Sequence, residues 1–187
     1  MKTAQHLARF LPAALLIATA TTPAAAHTGV DIVHDLTHGF LHPLTGLDHV
    51  TAMVAAGVIA AGIGGRALWL VPASFLAMMA LGGAIGMTTA GVPFAETGIA
   101  VSVIVLGAAA VLRVPMTTGA AVALAGVFAV FHGLAHGAEL PPGALPATYA
   151  GGFLLATALL HLAGLGLGLG LGLAIDRKNA LKAGSKG

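Results

Sequence analysis

Long apolar runs alternate along the chain with short polar breaks, and the breaks hold most of the charge. The first clear run, Leu44–Ile63, is about 20 residues long and would cover roughly 30 Å as a helix, enough to cross a bilayer. "GIGGR" closes it, and Leu68–Ala90 follows, ended by "GVPFAE". Thr97–Leu112 is a shorter third run with Arg113 and Pro115 behind it, and Met116–His136 is the fourth. "GAELPPGALP" is turn-rich, and Ala147–Ile175 is the fifth run, followed by the polar tail "DRKNALKAGSKG". The pattern predicts an all-α polytopic membrane protein, a bundle of five transmembrane helices.

Ahead of these runs, "MKTAQHLARF" supplies Lys2 and Arg9, "LPAALLIATA" is an apolar stretch, and "TTPAAA" ends in small residues. That order is the one a secretory signal peptide uses. It predicts a signal over residues 1–26, cleaved after Ala26 to leave His27 as the mature N-terminus; the competing reading is an uncleaved anchor helix. The domains are then the signal, a five-helix transmembrane domain over 27–175, and a basic cytoplasmic tail over 176–187. With the signal removed, the basic residues are Arg66, Arg113, Arg177, Lys178, Lys182 and Lys186. Five spans with an outside N-terminus put all of these on the cytoplasmic side and leave Glu96 and Glu139 in outer loops, as the positive-inside rule requires. The expected location is a bacterial inner membrane, N-terminus periplasmic and C-terminus cytoplasmic.

Composition agrees. Of 187 residues, 58% are hydrophobic and 7% charged, with mean hydropathy +0.98, against roughly 25% charged in a soluble domain. The bilayer is therefore the first partner. The few scattered basic residues make no nucleic-acid footprint, and zero cysteines exclude disulfides, thiolate metal sites and cysteine nucleophiles. Nine histidines against six acids is the anomaly, because imidazole is the commonest protein metal ligand. The glycine ladder "GLGLGLGLG", Gly164 to Gly172, lies inside the fifth run. On a helix Gly164, Gly168 and Gly172 share a face and allow a neighbour to approach closely.

Two stretches carry the chemistry. In "HPLTGLDH", Pro43 suits the first turn of a helix and disfavours an α conformation at His42. The span is thus expected to start at Pro43, with Asp48 and His49 one to two turns inside and His42 near the azimuth of His49. Ionisable side chains at that depth face the bundle interior and mark a pathway or site; the plainer alternative is a pair that only satisfies itself. In "FHGLAHGAE", His132 and His136 are four apart and project from one helical face, and Glu139 returns toward that face if the helix persists. Two imidazoles and a carboxylate on one stripe are a metal-binding arrangement. The two stretches share the outer membrane face, which predicts a single site built from His42, Asp48, His49, His132, His136 and Glu139. His49 should face His132 or His136, with Asp48 a ligand or the group that orients an imidazole. Imidazole and carboxylate without thiolate suit Ni(II), Co(II), Zn(II) or Cu(II) rather than Cu(I).

The same residues carry a resemblance. The chain resembles the HupE/UreJ family of nickel permeases, whose hallmarks are H-x5-D-H in the first mature helix and F-H-G-x-x-H-G-x-E in the fourth. Every fixed position is matched: His42, Asp48 and His49, then Phe131, His132, Gly133, His136, Gly137 and Glu139. The resemblance implies uptake of Ni(II), or Co(II), for metalloenzymes such as hydrogenase or urease, with the ion as cargo and no permanently bound cofactor.

Weaker candidates surround this core. His34, His38 and His42 recur every four residues with Asp31 and Asp35 among them, which fits either an outer helix that collects ions or a solvated face; His27 would stand near it. His161 reads as a hydrogen-bonded core histidine, Met53 as packing, and Glu96 as an interfacial loop acid. Three functional classes compete: a permease, a metal-holding accessory or sensor protein, and a membrane enzyme. "HGLAH" resembles the H-E-x-x-H of metalloproteases, but Gly133 stands where the general-base Glu belongs, so no enzyme is expected. The divalent metal ion is the expected partner besides lipid, with no nucleic acid, and self-association is left open. The charge pattern predicts that reporter fusions at Arg66 and Arg113 report cytoplasmic exposure; a periplasmic signal at Arg113 would overturn the topology.

Overall fold

The computed structural model describes residues 32–89 and 92–184. Among these residues the chain forms helices and no strand: α1 (Ile32–Thr45), α2 (Leu47–Ile63), α3 (Ala67–Gly86), α4 (Ala95–Val111), α5 (Thr118–Ala138) and α6 (Pro146–Gly184). The expected signal segment, His27 and Asp31 lie outside the described residues. Helix α3, helix α5 and the stretch Pro146–Gly172 of α6 are each long and apolar enough to cross a membrane. Helices α1 and α2 qualify together as a span bent by 82°, and α4 is apolar but shorter, at 17 residues. Helix α6 runs on unbroken through the basic stretch to Gly184.

The first span does not begin at Pro43. Helix α1 is already formed from Ile32 and carries Pro43 within it, two residues before its end at Thr45. There proline removes the bond to the Gly39 carbonyl and crowds that oxygen, and the helix ends two residues later. The interruption falls at Gly46, which is extended (φ −95°, ψ 117°) and caps the N-terminus of α2. Asp48 and His49 therefore sit in the first turn of α2 rather than one to two turns inside a span. At the other end of α2, Gly64 and Gly65 both take positive φ (73° and 54°), where an L side chain is strained. This two-residue reversal lets α3 start at once.

Close contacts define the directions. Gly57 of α2 lies against Gly164 and Leu165 of α6, and Gly168 against Val58 and Ala61, so α2 and α6 run parallel. Ser74 reaches the Val122 carbonyl (3.0 Å) and Gly82 meets Gly133, so α3 and α5 also run parallel. Helix α4 crosses antiparallel to α5: its start at Glu96 lines a cavity with Glu139 at the end of α5, and further along Ser102 meets His132. Successive helices α2 to α6 thus alternate in direction. The break at Gly46, the start of α4 and the end of α5 share one end of the bundle, and Arg66 and Arg113 the other.

The packing is that of a protein solvated by lipid. The interior is made largely of alanine (Ala52, Ala56, Ala60, Ala121, Ala125, Ala129), whereas large apolar side chains such as Trp69, Ile104, Val127 and Leu162 face outward. Helices in lipid gain little from burying leucine against leucine, so small residues that let backbones touch supply the contact. A Cβ on Gly164 would run into the Val54 carbonyl and the Gly57 backbone, whereas at Gly166, Gly170 and Gly172 nothing among the described residues lies within 4 Å. The ladder therefore packs through Gly164 and Gly168, and Gly172 does not join them. Gly164→Val should destabilise the bundle by about 1–3 kcal/mol or more through overpacking. Gly166→Val should leave it intact, and thermal melts of the two purified variants check the contrast.

Candidate metal centre

The site begins with the break. Because Gly46 has no side chain, the Asp48 carboxylate and the His49 ring can fold back over it; a Cβ there would stand 2.6 Å from Asp48 Oδ1 and 2.9 Å from His49 Nδ1. Asp48 Oδ1 accepts from the His49 backbone N–H and from His49 Nδ1, both at 2.9 Å. A carboxylate oxygen can only accept, so the proton sits on Nδ1 and the Nε2 lone pair of His49 is left free. That Nε2 points at His136 Nε2 across the α2–α5 contact.

Helix α5 supplies the other half. His132 and His136 lie one turn apart on its buried face. The ring centroids of His49 are 4.7 Å from His132 and 4.2 Å from His136. His136 Nδ1 is 3.0 Å from His42 Nε2 and 3.4 Å from Glu139 Oε2, and His42 Nε2 is 3.6 Å from that same oxygen. The helix does not persist to Glu139: it ends at Ala138 and Glu139 is its C-cap. The carboxylate consequently turns toward His136 and His42 rather than lying over His132. His132 Nε2 contacts the Ser102 hydroxyl of α4 at 2.9 Å.

Two overlapping ligand groups result. His49, His132 and His136 each offer an atom within 4.8 Å of the others, all three residues buried; His42, His136 and Glu139 do the same nearer the surface. An ion held about 2.1 Å from each imidazole nitrogen keeps them roughly 3–4 Å apart, so small side-chain adjustments suffice. The geometry brings five of the six expected ligands into these groups, with His136 shared. Asp48 belongs to neither and orients His49 instead. A polar cavity of about 190 Å³ opens onto His42, Asp48, His49, Glu96, His136 and Glu139. Behind it the wall is aromatic: Phe153 packs on His136 (4.5 Å between centroids) and Phe75 on His132 (5.7 Å).

The weaker candidates divide. His34, His38 and His42 follow one face of α1, the first two rings stacked at 6.0 Å and the next pair at 6.5 Å, leading along the helix to the cavity. Asp35 accepts from the Leu145 backbone N–H (2.8 Å) and so pins α1 to the start of α6. His161 donates from Nδ1 to the Thr157 carbonyl (2.8 Å), with its ring against Phe75, and Met53 is core. Two residues escaped the sequence reading. Glu96 is no loop acid: it stands in the first turn of α4 and lines the cavity. Ser102 is fully buried beside His132, and its one sequence signal was a hydroxyl in the middle of an apolar run.

Known proteins resemble this chain over most of its length. A family profile described as HupE / UreJ protein matches residues 14–185. Protein HupE of Rhizobium leguminosarum bv. viciae is 42% identical over 150 residues, covering 80% of this chain and 78% of that protein. No solved structure matches it. A match that takes in every described helix, with both histidine motifs inside it, shows that the chain belongs to the HupE/UreJ family.

Proposed function

We propose that this protein is a secondary permease that takes up a divalent transition-metal ion, Ni(II) as the first choice and Co(II) as the second, across a bacterial inner membrane. The observation that carries the reading is the convergence of His49, His132 and His136, buried, within 4.8 Å of one another from two different helices. A site for structure alone has no need of three imidazoles at the end of an apolar bundle. Family membership and the all-helical, alanine-lined fold support a role in transport rather than catalysis.

In this reading the mature N-terminus and the cavity face the periplasm, and the C-terminus faces the cytoplasm. His34 and His38 lead the ion to the cavity, where Glu96 and Glu139 attract a cation. The outer group of His42, His136 and Glu139 replaces part of its hydration shell. The buried trio replaces more, with His136 serving both groups, so the ion exchanges ligands one at a time. Imidazole and carboxylate ligands match the preferences of Ni(II) and Co(II). The ion delivered inside would supply metalloenzymes such as hydrogenase or urease.

Uptake of radiolabelled Ni(II) by cells lacking their own nickel importers tests this directly. Expression of the wild type should restore uptake, and Asp48→Ala, His49→Ala, His132→Ala and His136→Ala should each reduce it at least tenfold at equal expression. Binding without uptake would make the protein a metal-holding accessory instead, and normal transport by His49→Ala would remove the site from the mechanism. Proton competition supplies a second test. Only neutral imidazole binds metal, and unperturbed histidine titrates near about 6.5. Burial opposes charging of an imidazole. Ni(II) affinity of the purified protein, measured by calorimetry, should therefore hold through neutrality and fall only once the pH is low enough for the site's histidines to take up protons. Affinity that stayed flat with falling pH until the protein unfolded would exclude a histidine-based site.

A further inference from the structure

His132 differs from its two neighbours in what holds it. His49 is oriented by a carboxylate and His136 faces His42 and Glu139, but His132 is turned toward a neutral hydroxyl, Ser102, from a third helix. Serine has one proton to give. Ser102 Oγ lies 2.6 Å from the Ile99 carbonyl oxygen, which can only accept, so the hydroxyl proton points there. The 2.9 Å contact between Ser102 Oγ and His132 Nε2 must then be donated by the imidazole. His132 is thereby the Nε2–H tautomer, and its lone pair is on Nδ1. That nitrogen is buried and has no hydrogen-bond partner among the described residues. A buried acceptor left unpaired is unfavourable, and a ligating role gives it a partner.

We infer that Ser102 is a positioning residue for the metal centre: by accepting from Nε2–H it fixes the tautomer of His132 and makes Nδ1 the atom that meets the ion. The trio then binds through unlike nitrogens, Nε2 of His49 and Nδ1 of His132. Second partners of this kind set ring orientation and ligand basicity. Helix α4 contributes no imidazole, yet through Ser102 it controls one, so the α4–α5 contact becomes part of the site. The inference rests on the metal-site reading above.

Nitrogen-15 NMR of histidine-labelled protein in detergent reads the tautomer without any transport. In the metal-free wild type, His132 (assigned by its loss in His132→Gln) should carry its proton on Nε2. On adding Cd(II) as a diamagnetic probe, the shift should move at Nδ1. Ser102→Ala should release the tautomer preference and weaken Ni(II) binding by roughly 10–100-fold. Ser102→Thr, whose hydroxyl can also bond a carbonyl one turn back, should restore both. A wild-type His132 protonated on Nδ1, or metal bound through Nε2, would overturn the inference while leaving the permease reading intact. Absence of Ni(II) binding by the wild type would instead remove the reading on which it rests. Should Ser102→Thr not fold, the wild-type spectra decide alone.

Discussion

Backbone-to-backbone contact through small residues is the constraint on which the rest of the molecule depends. In lipid there is no water to drive leucine faces together, so helices associate where they can approach closely enough for dispersion to accumulate. This chain meets the condition along three seams. Gly39 and Gly152 join α1 to α6, Gly57 and Gly164 join α2 to α6, and Gly82, Gly83, Gly133 and Gly137 join α3 to α5. The last seam includes both glycines of the "HGLAHG" stretch. They press one side of α5 onto α3 and so turn His132 and His136 toward α2 and α4. The glycine that follows each histidine is thus the reason the imidazoles converge.

The break at Gly46 supplies the other half of that convergence. A continuous helix through His42 and His49 would stack the two imidazoles on one face, about two turns apart. Bending by 82° instead folds α1 across the end of the bundle, where it packs on α6 through Gly39 and Gly152 and is pinned by Asp35. His42 then comes over His136 from above while His49 meets it from the side. One histidine on α5 can touch both only because the chain changes direction between them.

Much of this was legible in the sequence, and the parts that were not have specific reasons. Apolar run length and the charged breaks gave the helices from Leu47 onward to within a few residues, except that α6 continues through the expected polar tail to Gly184. The two histidine motifs and the expected pairing of His49 with His132 or His136 followed from helical spacing and topology. Pro43 misled, because its local preference for a helix start was weaker than the tertiary packing that extends α1 back to Ile32. Glu139 misled too, since extrapolating the helix past Ala138 carried its carboxylate to the wrong neighbour. Ser102 and Glu96 could not be assigned from one sequence. Both depend on where α4 sits against α5, and a short uniform run such as Thr97–Leu112 does not specify which face it buries.

The site's gradation of burial follows from the energetics of charge. The side chains of Asp48 and Glu139 are 43% and 53% exposed, whereas those of His49 and His136 are 8% and 9% exposed. An unpaired carboxylate in a dry interior is strongly unfavourable, so the anionic groups stay at the cavity mouth, where water stabilises them when no ion is present. Neutral imidazoles carry a much smaller penalty, even with one acceptor unpaired, and can be kept deep, ready for an ion. A hydrated dication reaching this end of the bundle would meet negative charge while still wet. It would then exchange water for imidazole nitrogen as it moves inward from Glu139 through His136 to His49 and His132. Placing the carboxylates deep and the histidines outside would reverse the order, leaving charge buried in the empty protein and offering the incoming ion only neutral ligands. The arrangement found is the one in which both the empty and the loaded states are tolerable.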